Sequence, residues 1–367
     1  MATILDYALM AGVAYRDTRA EINRFPIPKE WHLVSRNPQD ESTGFEASAF
    51  GNAETIFGCT EIVISYAGTD SDDWTGDVAA DLALVAGLAS EQLLQAAEYY
   101  LQIKAINPDA KITLTGHSLG GGLAALVAVF FNETAVTFDQ APFRNAASWM
   151  RAKEVLLDLW GKFPVSSYPR ITEWLAPLDR FIASFDPLGL GWSQDGLSAR
   201  EAKVSNTSVQ GEIASISNSI RIGTEEPSLQ HGDYPHPIDL HTQSLLTAFL
   251  QSDATAEDGK ALNDVTFKLI DLLKMIFDEN LYAVDDLKKA KENFLERLVK
   301  HEAGITGSLP ADAMLTRFTR DLWKLAQDGG LTLRDGNPTN ADLNEVSKAL
   351  TAFAMQKYYE ETADSTG

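Results

Sequence analysis

The feature that most constrains this chain is the stretch 111–131, KITLTGHSLGGGLAALVAVFF. Ile112 and Leu114, interleaved with Thr113 and Thr115, predict a short buried strand. The Ala/Leu/Val-rich run after Ser118 is long enough for a buried helix. Between the two stands Gly116-His117-Ser118-Leu119-Gly120, a serine flanked by glycines where a strand turns sharply into a helix. A turn that tight has no room for Cβ atoms, and it holds the serine on strained backbone with its Oγ exposed. The helix N-terminus behind it favours negative charge developing in front. A chance G-x-S-x-G in a surface loop would lack the strand and the helix. Both are here, so Ser118 is predicted to be the nucleophile of an α/β hydrolase.

The rest of the composition narrows the partners. The 367 residues can hold one large α/β domain with a helical addition, and a 45% hydrophobic fraction supplies its core. A net charge of −22 argues against nucleic acid or an anionic membrane as a standing partner. The single cysteine, Cys59, excludes an internal disulfide framework and reads as a packing residue. The opening MATILDYALMAGVAY has no basic leader or cleavage site and reads as an amphipathic helix. The longest apolar run, after Ser118, is too short for a transmembrane segment. An acidic, cysteine-poor chain of this kind suits either the cytoplasm or export from a bacterium by a route that needs no signal peptide.

Along the chain, residues 3–16 predict a first helix, followed by strands at 31–35, 45–50 and 61–66. The early strands suit the antiparallel edge of an otherwise parallel sheet. The loop Ala67-Gly68-Thr69-Asp70 after the third strand is the natural source of a backbone donor for a reacting carbonyl. Thr69 is the expected donor there, and Leu119, directly after the nucleophile, the other. A helix over 91–106 leads to the nucleophile strand, and Ala135-Val136-Thr137-Phe138 is the next strand. An insertion over 143–200, mostly helical in pattern, carries Trp149, Trp160, Trp174 and Trp192, four of the chain's seven tryptophans. They would either line and gate an acyl channel as a cap, or pack a small core of the insertion's own. Residues 204–212 read as a return to the sheet, ending at Gly211-Glu212. The predicted organisation is a core over 1–252, including the insertion, and a helical annex over 253–367 with four helical periods.

These motifs support a family resemblance. The strand ending Tyr66-Ala67-Gly68-Thr69, then Asp73-Trp74 and Asp77, then Gly116-His117-Ser118-Leu119-Gly120-Gly121, resembles the class 3 (fungal lipase-like) lipases. The ending Asp139-Gln140-Ala141-Pro142-Phe143, in place of the usual Gly-x-Pro, is similar to a bacterial branch. The resemblance implies an α/β-hydrolase fold and cleavage of acylglycerols or related lipid esters, with action at an oil–water interface open. A phospholipase A1 or a polyester hydrolase would use the same machinery. A reading from another class is a non-catalytic binding module on the same fold.

In α/β hydrolases the order is serine, acid, histidine. Of six histidines, His32 precedes the elbow, His117 lies inside it and is expected to point elsewhere, and His301 falls in the annex. His241 is the expected base, since it precedes a helix as the family's base does. His231, beside Gly232, is its rival, and His236, between two prolines, is expected to be structural. For the acid the resemblance favours Glu212, at the end of the returning strand. Asp186 is the rival because Asp186-Pro187-Leu188 resembles the family's Asp-Pro-Val, and Asp139 also lies at a strand end. Either carboxylate type can orient an imidazole and stabilise its positive form. No metal or organic cofactor is required. The acidic loops (Asp70 to Asp77, and Asp233 with Asp239) offer calcium ligands, but solvated turns are the expected reading.

Overall fold

The computed structural model describes residues 2–15, 25, 27, 28, 30–68, 78–185, 196–212, 220–229, 240, 241, 243, 246, 247, 249 and 250, with 78–90 as backbone alone. The sequence-based readings of Thr69, the 70–77 loop, Asp186, Trp192, His231, His236, Asp233, Asp239 and the 253–367 annex lie outside these residues.

Seven strands form one sheet in chain order: β1 (His32–Asn37), β2 (Ala47–Gly51), β3 (Glu61–Tyr66), β4 (Lys111–His117), β5 (Thr134–Phe138), β6 (Val204–Thr207) and β7 (Thr224–Glu225). β1, β2 and β3 pair antiparallel, and β3 to β7 run parallel. Helices α1 (Ile4–Val13), α2 (Val78–Ile106), α3 (Leu119–Phe131), α4 (Trp149–Lys162), α5 (Ile171–Ala183) and α6 (Leu197–Glu201) flank it. A mostly parallel seven-stranded sheet between helices fits an α/β-hydrolase-like fold.

The sequence explains the order of layers. β4 is Ile/Leu/Thr-rich and buried except at Lys111, as a central parallel strand must be. α3 is apolar on every side, and all thirteen of its residues are buried between the sheet and the outer helices. α1 begins with a capping box: the Thr3 hydroxyl accepts from the Asp6 amide at 3.2 Å, and the Asp6 carboxylate accepts from the Thr3 amide at 2.7 Å.

Three elements differ from the sequence reading. α2 starts at Val78 instead of 91, because Ala and Leu dominate residues 78–90 and no proline stops the helix. β6 ends at Thr207, and the chain beyond makes a bridge from Val209 to Leu229 and then turns at Gly211 with φ +77°. In the insertion, Ala152, Val155, Leu159, Trp174, Leu175, Leu178 and Phe181 belong to the same buried cluster as the sheet. The described helices of the insertion are thus built into the main core, with Trp160 packed partly buried against it and Trp149 exposed. Cys59 is buried and its sulfur fills the space beside Gly51.

Candidate active site

β4 carries the chain into the turn and α3 carries it out. Ser118 has φ +55° and ψ −124°, a left-handed strained conformation for a residue with a side chain, which costs about 1–3 kcal/mol. The turn survives because its backbone is tied on both sides. The Ser118 amide donates to Phe138 O at 3.0 Å, and Ser118 O accepts from Gly122 at 3.1 Å and Ala141 at 2.9 Å. Gly120 is obligatory: a Cβ there would come within 2.1 Å of Tyr66 O, where β3 passes beneath the helix start. Ser118 is only 6% exposed, in contrast to the exposed Oγ expected from the sequence, because the elbow turns it toward the histidine rings around it.

Three side chains from distant segments meet in one line. His241 Nε2 lies 2.8 Å from Ser118 Oγ, and His241 Nδ1 lies 2.6 Å from Glu212 Oε2. A carboxylate can only accept, so Nδ1–H donates to Glu212 and Nε2 is left to accept the serine proton. Burial pushes the Glu212 carboxyl up. The hydrogen bond and attraction of the His241 N–H and the nearby Arg221 guanidinium outweigh it and hold Glu212 below the usual carboxylate range. Arg221 donates to its other oxygen, Oε1. His241 follows the buried Leu240, and Gln243, two residues on, donates to Ala8 O in α1 at 2.7 Å.

On the other side of the elbow, Leu119 is the first residue of α3, so its amide has no partner one turn back within the helix. Gly68, two residues past β3, lies against it. A Cβ on Gly68 would stand 3.3 Å from Leu119 N and 2.5 Å from Tyr15 Oη. Only a glycine lets that loop approach the elbow so closely.

His117 does not point away from the site. Its ring centroid is 4.9 Å from that of His241, its Nδ1 is 3.3 Å from Tyr15 Oη, and its Nε2 is 3.7 Å from Asp139 Oδ2. The Tyr15 hydroxyl donates to His117 O at 3.2 Å. Asp139, at φ +40° just past β5, accepts from the Val209 amide at 3.0 Å. Burial, and then the negative charge of Glu212, push the Asp139 carboxyl well above the usual range. It is therefore poorly suited to a permanently charged role beside the histidine, and it touches His117 instead of His241. Tyr15 and Arg221 were not legible as site residues, and Asp139 and Gln140 were legible only as a strand ending, with Asp139 a rival acid, since each reaches its partner across a long stretch of chain or through backbone atoms that leave no spacing signal.

His117, Asp139 and His241 also bring possible metal-ligand atoms within 4.8 Å of one another. Both ring nitrogens of His241 are already engaged, by Glu212 and Ser118, so the arrangement favours proton transfer over metal binding. Among the described residues no helix is long and apolar enough to cross a membrane.

Comparison with known proteins agrees with a lipase-like chain. A family model described as a Tle-like phospholipase domain matches residues 7–155. The chain is 36% identical over 103 residues to an extracellular phospholipase A1 of Serratia liquefaciens, covering 28% of this chain and 29% of that protein. It is 57% identical over 42 residues to the putative lipase ATG15 of Eremothecium gossypii, covering 11% of this chain and 8% of that protein. The chain thus spans less than a third of the length of either relative.

Proposed function

We propose that this protein is a serine carboxylic-ester hydrolase acting on lipid esters, with Ser118 as nucleophile, His241 as general base and Glu212 as the acid that orients it. The single observation that carries this reading is the hydrogen-bonded line from Glu212 through His241 to Ser118 on a strained strand-to-helix turn. Ser118 Oγ attacks the acyl carbonyl while its proton passes to His241 Nε2. Imidazolium forms between the serine and Glu212, whose negative charge stabilises it. The tetrahedral oxyanion is held by the Leu119 amide and, on the sequence reading, by that of Thr69. Each such donor is worth about 10²–10³ in kcat. Protonated His241 gives its proton to the leaving alkoxide, and water, activated by the same imidazole, releases the acid from the acyl-serine. Every step uses the chain's own side chains and backbone, so the reading asks for no metal or organic cofactor.

The substrate class comes from the relatives. Both the matching family model and the Serratia protein carry a phospholipase name, and the Eremothecium protein a lipase name. The reading therefore takes the acyl ester of a phosphoglyceride as its first substrate and an acylglycerol as its second. The test is fatty-acid release from phosphatidylcholine vesicles and from emulsified triglyceride, alongside p-nitrophenyl esters from acetyl to palmitoyl, by wild type and Ser118→Ala. Activity on long acyl esters that disappears in the variant upholds it. Undiminished activity in the variant, or a folded wild type inert on every ester, overturns it, the latter in favour of a binding module.

A further inference from the structure

Glu212 is fully buried, and a buried carboxylate is costly unless its oxygens are satisfied and its charge is paired. One oxygen meets His241. The other meets Arg221, whose side chain is itself only 10% exposed. What aims Arg221 is Gln140, two residues beyond the end of β5. The Arg221 Nε donates to Gln140 O at 2.7 Å. The Gln140 side-chain amide grips the next peptide from both sides, accepting from Ile222 N at 2.8 Å and donating to Ile222 O at 3.2 Å. A further bond from Gln140 Nε2 to Thr137 Oγ1, at 2.8 Å, anchors that amide to β5. The unusual strand ending Asp139-Gln140 thus tethers both flanks of the acid: Asp139 holds Val209 on the way in, and Gln140 holds the arginine behind it.

We propose that Arg221, aimed by Gln140, is a positioning residue for ester hydrolysis that turns Glu212 so that one oxygen is left facing His241. The inference rests on the serine–histidine–glutamate reading above. A glutamate has one more side-chain torsion than an aspartate, so its oxygens are less well fixed by the backbone alone. The guanidinium, anchored through Nε on Gln140 O while its Nη2 reaches Glu212 Oε1, removes that freedom, which a lysine with a single donor group cannot do in the same geometry. Arg221 also acts by charge. Among the described residues, the charged and titratable groups facing Glu212 include His241, Arg221 and Asp139, and Glu225 lies 3.6 Å beyond the guanidinium. Taking away the cation raises the proton affinity of Glu212, so the acid side of the rate profile moves up.

The experiment measures kcat and KM on a soluble p-nitrophenyl ester across the pH range for wild type, Arg221→Gln and Arg221→Lys, with Ser118→Ala and Glu212→Gln alongside. Arg221→Gln is expected to move the acid limb of kcat/KM up by about one pH unit. Its kcat at the optimum should fall about tenfold, with KM within about twofold. Arg221→Lys should return the limb to nearly the wild-type position but leave kcat about threefold down, since it keeps the charge without the Nε anchor on Gln140. A residue that only holds the loop would lower the unfolding midpoint and leave the limb in place. A folded Arg221→Gln with the wild-type limb overturns the proposal. If Arg221→Gln does not fold, Arg221→Lys decides: a threefold lower kcat at unchanged KM supports it, and a wild-type kcat overturns it. An active Ser118→Ala or a fully active Glu212→Gln defeats the underlying reading instead, and either is recognised from these controls alone.

Discussion

Glu212 Oε2 stands 2.6 Å from His241 Nδ1, and both side chains are buried. The contact fixes which imidazole nitrogen carries the proton, and so which one faces the serine. Glu212→Gln keeps the shape but can present an amide donor to Nδ1, turning the ring to the wrong tautomer. Its kcat should fall by about 10³–10⁴ with KM nearly unchanged, by analogy with the effect of such a change in serine proteases. Steady-state kinetics on a soluble ester measure this.

Gly120 and Tyr66 bear on stability. An alanine at 120 gains about 1 kcal/mol of helix propensity over glycine. It also drives a methyl to within 2.1 Å of Tyr66 O, a backbone atom of a buried strand that cannot move aside. Gly120→Ala should therefore be destabilised by about 3 kcal/mol or more. Urea unfolding gives the figure, and a midpoint at or above wild type would contradict the packing described.

Arg200 joins the insertion to the nucleophile helix. It is 2% exposed, and its guanidinium donates to Val129 O, Phe130 O and Pro177 O at 2.7, 2.9 and 2.7 Å. Two of these carbonyls belong to the last turn of α3, where no helical amide remains to bond them. Arg200→Ala strands them and should cost about 3 kcal/mol, because buried acceptors lose charged donors. The loss should appear in the denaturation midpoint, while kcat of the folded fraction stays close to wild type.

Asp139 makes a pH prediction. Its carboxyl is raised in the folded protein, so the fold favours the protonated form. That preference contributes in full below the unfolded value of about 3.9, and is lost as pH rises toward the folded value. Asp139→Asn keeps an acceptor for the Val209 amide but has no proton to lose. Its stability relative to wild type should thus rise with pH above about 4 and level off past the folded value. Urea midpoints at a series of pH values test this, and a difference that shrinks as pH rises would show the sign to be wrong.

The nucleophile turn is legible in the sequence because everything that makes it is local: a buried strand, glycines where backbones touch, and an apolar helix. The antiparallel edge and parallel body of the sheet follow in the same way, from early β-rich runs close together and later ones alternating with helical runs. What could not be read is set by contacts between distant segments. Residues 102 apart bring Tyr15 to the carbonyl of His117. Arg221 stands nine residues from Glu212 in a stretch with no recognisable pattern, and its partner Gln140 is 81 residues away. His117 was read as turned away because the pentapeptide says nothing of what packs above it. β6 was read too long because Val209 continues the apolar alternation, although it pairs only with Leu229 in a single bridge.

The central claim is that Ser118 is a nucleophile activated by His241. The most direct measurement is the reaction of the whole protein with a p-nitrophenyl alkylphosphonate, following nitrophenol release and locating the adduct by peptide mass spectrometry. One equivalent should be released, with one adduct on Ser118 and a rate lower by several orders of magnitude in His241→Ala. A folded wild type that takes up no phosphonate, or takes it up at another residue, would contradict it.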